Sequence, residues 1–132
     1  ILMLSGPRII LVVEDEPLIR MDAVDQLQSA GFETLEAGCV QDAMEVIQNR
    51  GPIQILFTDV DMPGGLSGIE LAHEVRREMP EACIIVTSGQ SLECPAKLPP
   101  GAHFHSKPYQ IGPILVEIEE HCPTNFGQAA EN

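Results

Sequence analysis

Five residues that could do chemistry stand at or just past the ends of short apolar runs. Glu14 and Asp15 follow Ile9–Val13, Asp59 follows Ile53–Thr58, Thr87 ends Ala82–Thr87, and Lys107 comes soon after Ala102–His105. If those runs are parallel strands of one sheet, all five residues share one edge. Three carboxylates gathered there would repel one another unless a cation sat among them. A hard divalent cation with oxygen ligands resolves the conflict, and Mg2+ retains waters and leaves room for a phosphate oxygen. Lys107 adds a point charge for phosphate, and Thr87 adds a hydroxyl donor. Together these groups suit phosphoryl transfer, with Asp59 as the nucleophile.

The elements that must position them can be read from periodicity. Ile9–Val13 is a short, continuous β-rich run, as expected of a strand buried on both faces. Pro17 opens a helical segment reaching Ala30, with Leu18, Ala23, Val24, Leu27 and Ala30 at helical spacing and Gly31 suited to the position past its end. Phe32–Ala37 is a weaker strand candidate. Val40–Asn49 places Val40, Ala43, Met44 and Ile47 on one stripe and stops at Gly51-Pro52. Ile53–Thr58 and Ala82–Thr87 are two more buried strands. Met62–Ser67 is a loop, Ile69–Met79 a helix, Ala102–His105 a short strand and Ile111–Glu120 the last helix. This alternation predicts one α/β domain of flavodoxin-like, doubly wound architecture: a five-stranded parallel sheet with helices on both faces and right-handed crossovers. Its site belongs at the carboxyl ends of the strands.

The stretches IILVVEDEP, LFTDVDMPGG-LSGIEL, IIVTSG and HSKPY then become specific as a set. In order and at nearly the same spacings, they resemble the response-regulator receiver domain of two-component signalling. Asp59 lies 44 residues after Asp15, Thr87 lies 28 after Asp59, and Lys107 lies 20 after Thr87. The likeness runs from Arg8 to about His121, so residues 8–121 are expected to form the domain, with residues 1–7 and 122–132 as flexible ends. The resemblance implies that Asp59 accepts a phosphoryl group from a phosphohistidine. It also implies that Asp15 and Asp59 ligate Mg2+, that Glu14 reaches the ion through water, and that the Asp61 backbone carbonyl completes the protein ligands. Thr87 and Lys107 would bind phosphoryl oxygens, and Lys107-Pro108 would be a cis peptide. The implied donor is a sensor histidine kinase or a histidine phosphotransfer protein. The output partner is not specified by the sequence.

Three features depart from the family pattern. The loop after Asp59, MPGGLSG, is one residue longer than the common form. The segment Gln90–Pro100 stands where a fourth helix belongs, but Pro95, Pro99 and Pro100 would each disfavour it by about 3 kcal/mol at an interior position. A shortened or absent helix is therefore expected there, within an irregular, mobile output surface. The family's switch aromatic is Phe104, without the hydroxyl of the commoner Tyr, and it would act with Thr87.

Composition limits the alternatives. The chain has 132 residues, the size of one domain, and a formal charge of −13, which repels nucleic-acid backbones. No apolar run is long enough to span a bilayer. The start, ILMLSGPRIILVV, lacks the basic segment of a signal peptide. Cys39, Cys83, Cys94 and Cys122 form no CxxC pair, so reduced thiols in a cytoplasmic protein are expected. Because the first residue is Ile1, the chain is read as trimmed or cut from a longer protein.

Plainer readings exist for single residues. Asp59 could cap a helix, and Asp61 could keep its side chain in solvent. His103 and His105 alternate along a strand as metal ligands can, but no Cys or third His pairs with them at ligand spacing, so one packed and one exposed residue is expected. Asp22, Asp25, Glu74, Glu78, Glu117, Glu119 and Glu120 read as solvated helix faces. The ordered set of motifs favours a phosphoacceptor switch that promotes its own phosphorylation and slow dephosphorylation, not an enzyme turning over a metabolite. The enzyme alternative is a haloacid-dehalogenase-type phosphatase using Asp59-x-Asp61. A degenerate receiver that only binds partners is the third reading.

Overall fold

Alternate residues of the central strands face opposite layers, and both layers are apolar. The computed structural model describes residues 7–89 and 94–122. Along them run β1 (Ile9–Val13), α1 (Pro17–Ser29), β2 (Glu33–Ala37), α2 (Val40–Arg50), β3 (Ile55–Asp59), α3 (Gly68–Glu78), β4 (Cys83–Ser88), β5 (His103–Ser106) and α4 (Ile111–His121). The strands form one parallel sheet in the order β2-β1-β3-β4-β5. Leu11, Val13, Leu56, Ile84 and Val86 pack with Val40 and Ala43 of α2 and Leu71, Ala72 and Val75 of α3. Ile10, Val12, Ile55, Phe57 and Ile85 face the other way, onto Val24 and Leu27 of α1 and Ile114 and Ile118 of α4. The period of two along each strand thus feeds two cores, which is why β3 and β4 read as unbroken apolar runs.

Helix ends follow local chemistry. Pro17 lies in the first turn of α1, where a missing N–H is harmless. Gly31, just past that helix, has φ of +102°. The start of α3 is held by a capping box: Ser67 Oγ accepts from the Ile69 N–H at 3.2 Å, and the Ser67 N–H donates to Glu70 Oε1 at 2.7 Å. The extra residue of the MPGGLSG loop is absorbed by Gly64 and Gly65, with φ of +100° and +87°.

Several expectations are corrected. Strand β3 begins at Ile55 rather than Ile53, because the Ile53 N–H turns to Met79 Sδ at 3.4 Å and the ladder to β1 starts at Ile55. The cysteines are not all reduced: Cys83 and Cys122 form a disulfide with Cα atoms 5.5 Å apart, whereas Cys39 is free. Cys83 opens β4 and Cys122 follows α4 on the same packed face, a juxtaposition that a separation of 39 residues did not reveal. His103 and His105 are not one packed and one exposed. Two residues apart on a strand, they share a face, and both are half-buried on Glu117. Glu117 is therefore not a solvated helix residue.

Between β4 and β5 the helical segment among the described residues is a 3-10 turn, Cys94–Lys97. It occupies part of the segment expected to be irregular. Gln90–Glu93, the remainder of its first half, lies outside the described residues.

One close approach fixes the site's geometry. A methyl group added at Gly68 would lie 2.0 Å from the backbone oxygen of Asp59, and the Gly68 N–H donates to the Val60 carbonyl at 3.0 Å. Gly68→Ala should therefore push α3 away from the end of β3 and destabilise the fold by about 1–3 kcal/mol, as overpacking does. Urea unfolding measures this, and a variant as stable as wild type would contradict it.

Candidate functional site

The sheet gathers the chemistry at one edge. Asp59 ends β3 and lies in register with Thr87 on β4, while Val13, just before Glu14, is in register with Ala37 and Thr58. The ladder continues past the strands: the Glu14 N–H donates to the Ala37 carbonyl at 3.0 Å and the Val60 N–H to the Thr87 carbonyl at 2.9 Å. Across β5, the Lys107 N–H donates to the Ser88 carbonyl at 2.9 Å, so Lys107 leaves the sheet at the same edge. The Lys107-Pro108 peptide is cis.

The side chains converge there. Lys107 Nζ donates to Asp59 Oδ2 at 3.0 Å and to Glu14 Oε1 at 3.2 Å. Glu14 Oε2 accepts from the Glu16 N–H at 3.1 Å, and Arg20 holds the Glu14 carbonyl at 2.7 Å. Glu14 and Asp59 are each 5% exposed, Thr87 is buried, and Asp15 is exposed at the mouth. The Asp61 side chain accepts from Ser88 Oγ at 3.3 Å, and its charge helps to raise the Asp59 carboxyl. Asp61 is exposed, and this arrangement does not favour an acid–base partnership of Asp61 with Asp59 of the phosphatase kind.

Burial sets the electrostatics. It raises the Asp59 carboxyl above its ordinary value, opposed by the Lys107 hydrogen bond and charge. Burial likewise raises Glu14, helped by the Asp59 charge and opposed by the Glu16 N–H and Lys107. Burial alone would lower Lys107, but its hydrogen bonds and ion pairs with Asp59 and Glu14 prevail and raise it. One ammonium thus serves two buried carboxylates, with a third carboxylate beside them.

A divalent cation fits this set. One oxygen each from Glu14, Asp15 and Asp59 lie within 4.8 Å of one another, the one such group of carboxylate, imidazole or thiol donors among the described residues. Asp59 Oδ1 is buried and has no hydrogen-bond partner, an acceptor left open among like charges. Hard oxygen donors of this kind suit Mg2+.

Other residues belong to the site although sequence reasoning gave them no role. Tyr109 packs edge-on against Phe57, with ring centroids 5.4 Å apart, and burial with the nearby Glu14 charge pushes its hydroxyl up to about 12. With Lys107 and Pro108 it lines a groove of about 540 Å3 whose opposite wall is Leu18, Ile19 and Asp22 of α1. Leu18 is 73% exposed, although helical spacing set it among the core positions of α1. Gly68 was legible only as a loop end. Phe104 is half-buried and packs against the α2/α3 side of the sheet, in register with Val86.

Comparison with known proteins bears on this arrangement. The response regulator receiver domain family matches residues 10–105. The sensor kinase CckA of Brucella abortus is 34% identical over 121 residues, covering 89% of this chain and 13% of that protein. The transcriptional regulatory protein PdtaR of Mycobacterium tuberculosis is 34% identical over 116 residues, covering 86% of this chain and 56% of that protein. The chain therefore spans about half, or much less, of these curated relatives. Among solved structures, the response regulator protein TrrA of Thermotoga maritima, in complex with Mg2+ and beryllofluoride, superposes with a TM-score of 0.73 at 26% identity, covering 86% of this chain and 97% of that one.

Proposed function

The chain belongs to the response-regulator receiver family of two-component signalling, and from that premise we propose that Asp59 is its phosphoacceptor. The observation that carries the proposal is the buried, partly unpaired Asp59 carboxylate, held by Lys107 beside Glu14 and Asp15. The Asp59 carboxylate attacks the phosphorus of a phosphohistidine. The P–N bond breaks, its electron pair returns to the donor imidazole, and an acyl phosphate forms on Asp59. Lys107 meets one phosphoryl oxygen with its charge, and the Thr87 hydroxyl donates to another. Asp15 and Asp59, Glu14 through water and the Asp61 carbonyl would hold Mg2+, which would supply further positive charge for the transferring group. Water later hydrolyses the acyl phosphate slowly, so the domain acts as a timer rather than a turnover enzyme.

The signal leaves by way of Thr87 and Phe104 in this reading. Thr87 is drawn toward the phosphoryl group, and its neighbouring strand carries Phe104, which stands against the α3 side of the sheet. The Pro-rich segment between them would adjust with this movement. The domain works in the cytoplasm, where ATP-fuelled phosphohistidine donors are made, within residues 8–121. Its charge of −13 argues against direct contact with nucleic acid, and no helix among the described residues is long and apolar enough to cross a membrane.

Incubation with acetyl phosphate and Mg2+ tests the reading. One hydroxylamine-sensitive phosphoryl group per chain, mapped to Asp59, is expected. Sustained hydrolysis of p-nitrophenyl phosphate would point instead to a phosphatase.

The donor is a sensor histidine kinase or a histidine phosphotransfer protein, and it docks on the first turns of α1. Leu18 and Ile19 present exposed apolar surface continuous with Pro108 and Tyr109, at the mouth of the Asp59 site. Leu18→Asp should slow phosphotransfer from the protein donor by about tenfold or more, the effect of losing roughly 1.4 kcal/mol of docking energy, while labelling by acetyl phosphate stays as in wild type. Equal slowing with both donors would place the defect in the chemistry and not in docking.

A further inference from the structure

We propose that His103, His105 and Glu117, joined by His121, form a second metal site selective for a borderline dication of the Zn2+ or Ni2+ class. His103 and His105 project from one face of β5, the edge strand of the sheet. Glu117 and His121 lie four residues apart on α4, on one face of that helix. His103 Nδ1 stands 3.1 Å from Glu117 Oε2, and His105 Nε2 stands 2.6 Å from Glu117 Oε1. The His121 ring lies over His103, with centroids 5.2 Å apart. The sequence motif His-x-His, which lacked a third donor along the chain, acquires a carboxylate and another imidazole from α4.

The donor chemistry separates this site from the Asp59 site. Imidazole nitrogens with one carboxylate oxygen suit Zn2+, Ni2+ or Cu2+, whereas an all-oxygen set suits Mg2+. The side chains of His103, His105 and Glu117 are 22–24% exposed, so an ion can reach them from solvent. In the structure each Glu117 oxygen takes one ring, and the four donors do not yet share a centre. Binding requires the rings to turn inward until the nitrogens stand about 2.0–2.1 Å from the ion. A ligating ring nitrogen must carry no proton, so each imidazole would bind as the neutral tautomer with its N–H on the other nitrogen. The ion would then clamp β5 to α4, at the strand that leads into Lys107.

The test titrates Zn2+ into the full chain held in excess Mg2+, followed by imidazole resonances and by the thermal midpoint. It does not depend on whether Asp59 is phosphorylated. The expected result is one equivalent bound, with shifts at His103, His105 and His121 but not at His73, whose ring is engaged with the Lys97 carbonyl. His105→Gln and Glu117→Gln should each weaken binding by at least about tenfold, the loss seen even for outer partners of a metal site, and should remove the rise in thermal midpoint. Unchanged affinity in both variants would overturn the site. So would loss of binding in Cys83→Ser alone, or the absence of any Zn2+ binding to wild type.

Discussion

Asp59→Asn is expected to abolish acetyl phosphate labelling outright and to stabilise the metal-free protein by about 1–2 kcal/mol, as relief of a strained functional site can do. The first effect follows from removing the attacking carboxylate. The second follows from charge: Glu14, Asp15 and Asp59 lie together, two of them buried, with Lys107 as the cation bonded to the buried pair. Asn keeps the shape and removes one negative charge. The pH dependence has a definite sign. Burial raises the folded-state pKa of Asp59 and of Glu14, so the native protein holds these protons more tightly than the unfolded chain. Their stabilising contribution is fully present below the ordinary carboxylate values and is lost as pH rises through the raised folded values. Metal-free wild type should therefore lose stability relative to Asp59→Asn as pH climbs from about 4 toward neutrality. Urea midpoints across that range measure the difference. Mg2+ should narrow it by binding the native wild type, through the usual ligand linkage. A variant that still accepts label, or a gap that shrinks with rising pH without metal, would sink this account.

How much of this could be read from the sequence depended on whether the information was local. Strands β1, β3 and β4 announced themselves because residues facing two cores must be apolar at every position. The same continuity hid the start of β3: Ile53 is as buried as the strand but bonds to Met79 instead of to β1. The carboxylates, Thr87 and Lys107 were legible as candidates because each stands at a strand end, and the parallel order then brought those ends to one edge. Partners supplied across the fold were not legible. Glu117 looked like one of many surface acids until α4 laid it on β5, and Cys83 gave no sign of Cys122. The role of Gly68 is a matter of 2.0 Å between backbone segments, which no pattern of residue types encodes. Leu18 fitted a helical period as well as Val24 does, yet only Val24 is covered.

Lys107→Ala should act in the opposite sense to Asp59→Asn. Lys107 donates to both buried carboxylates, and its removal leaves Glu14 and Asp59 without their counter-charge. Breaking a buried ion pair from one side destabilises by about 3–5 kcal/mol, because the partner charge stays buried and unpaired. The loss should lie at the upper part of that range in metal-free protein and shrink when Mg2+ supplies positive charge. The lysine's own titration does not confuse the measurement. Its folded pKa is raised, so its stabilising contribution is fully present below the ordinary lysine value and fades only above it, far from neutral pH. A double-mutant cycle isolates the pair. In the Asp59→Asn background one of the two buried charges is already gone, so Lys107→Ala should be milder there, with a coupling of about 1–3 kcal/mol. Phosphorylation should fall as well, since the charge that meets the incoming phosphoryl oxygen is lost, and Mg2+ should not restore it. Additive stability effects in the cycle would mean that Lys107 and Asp59 act independently, and undiminished labelling in Lys107→Ala would remove the lysine from the reaction.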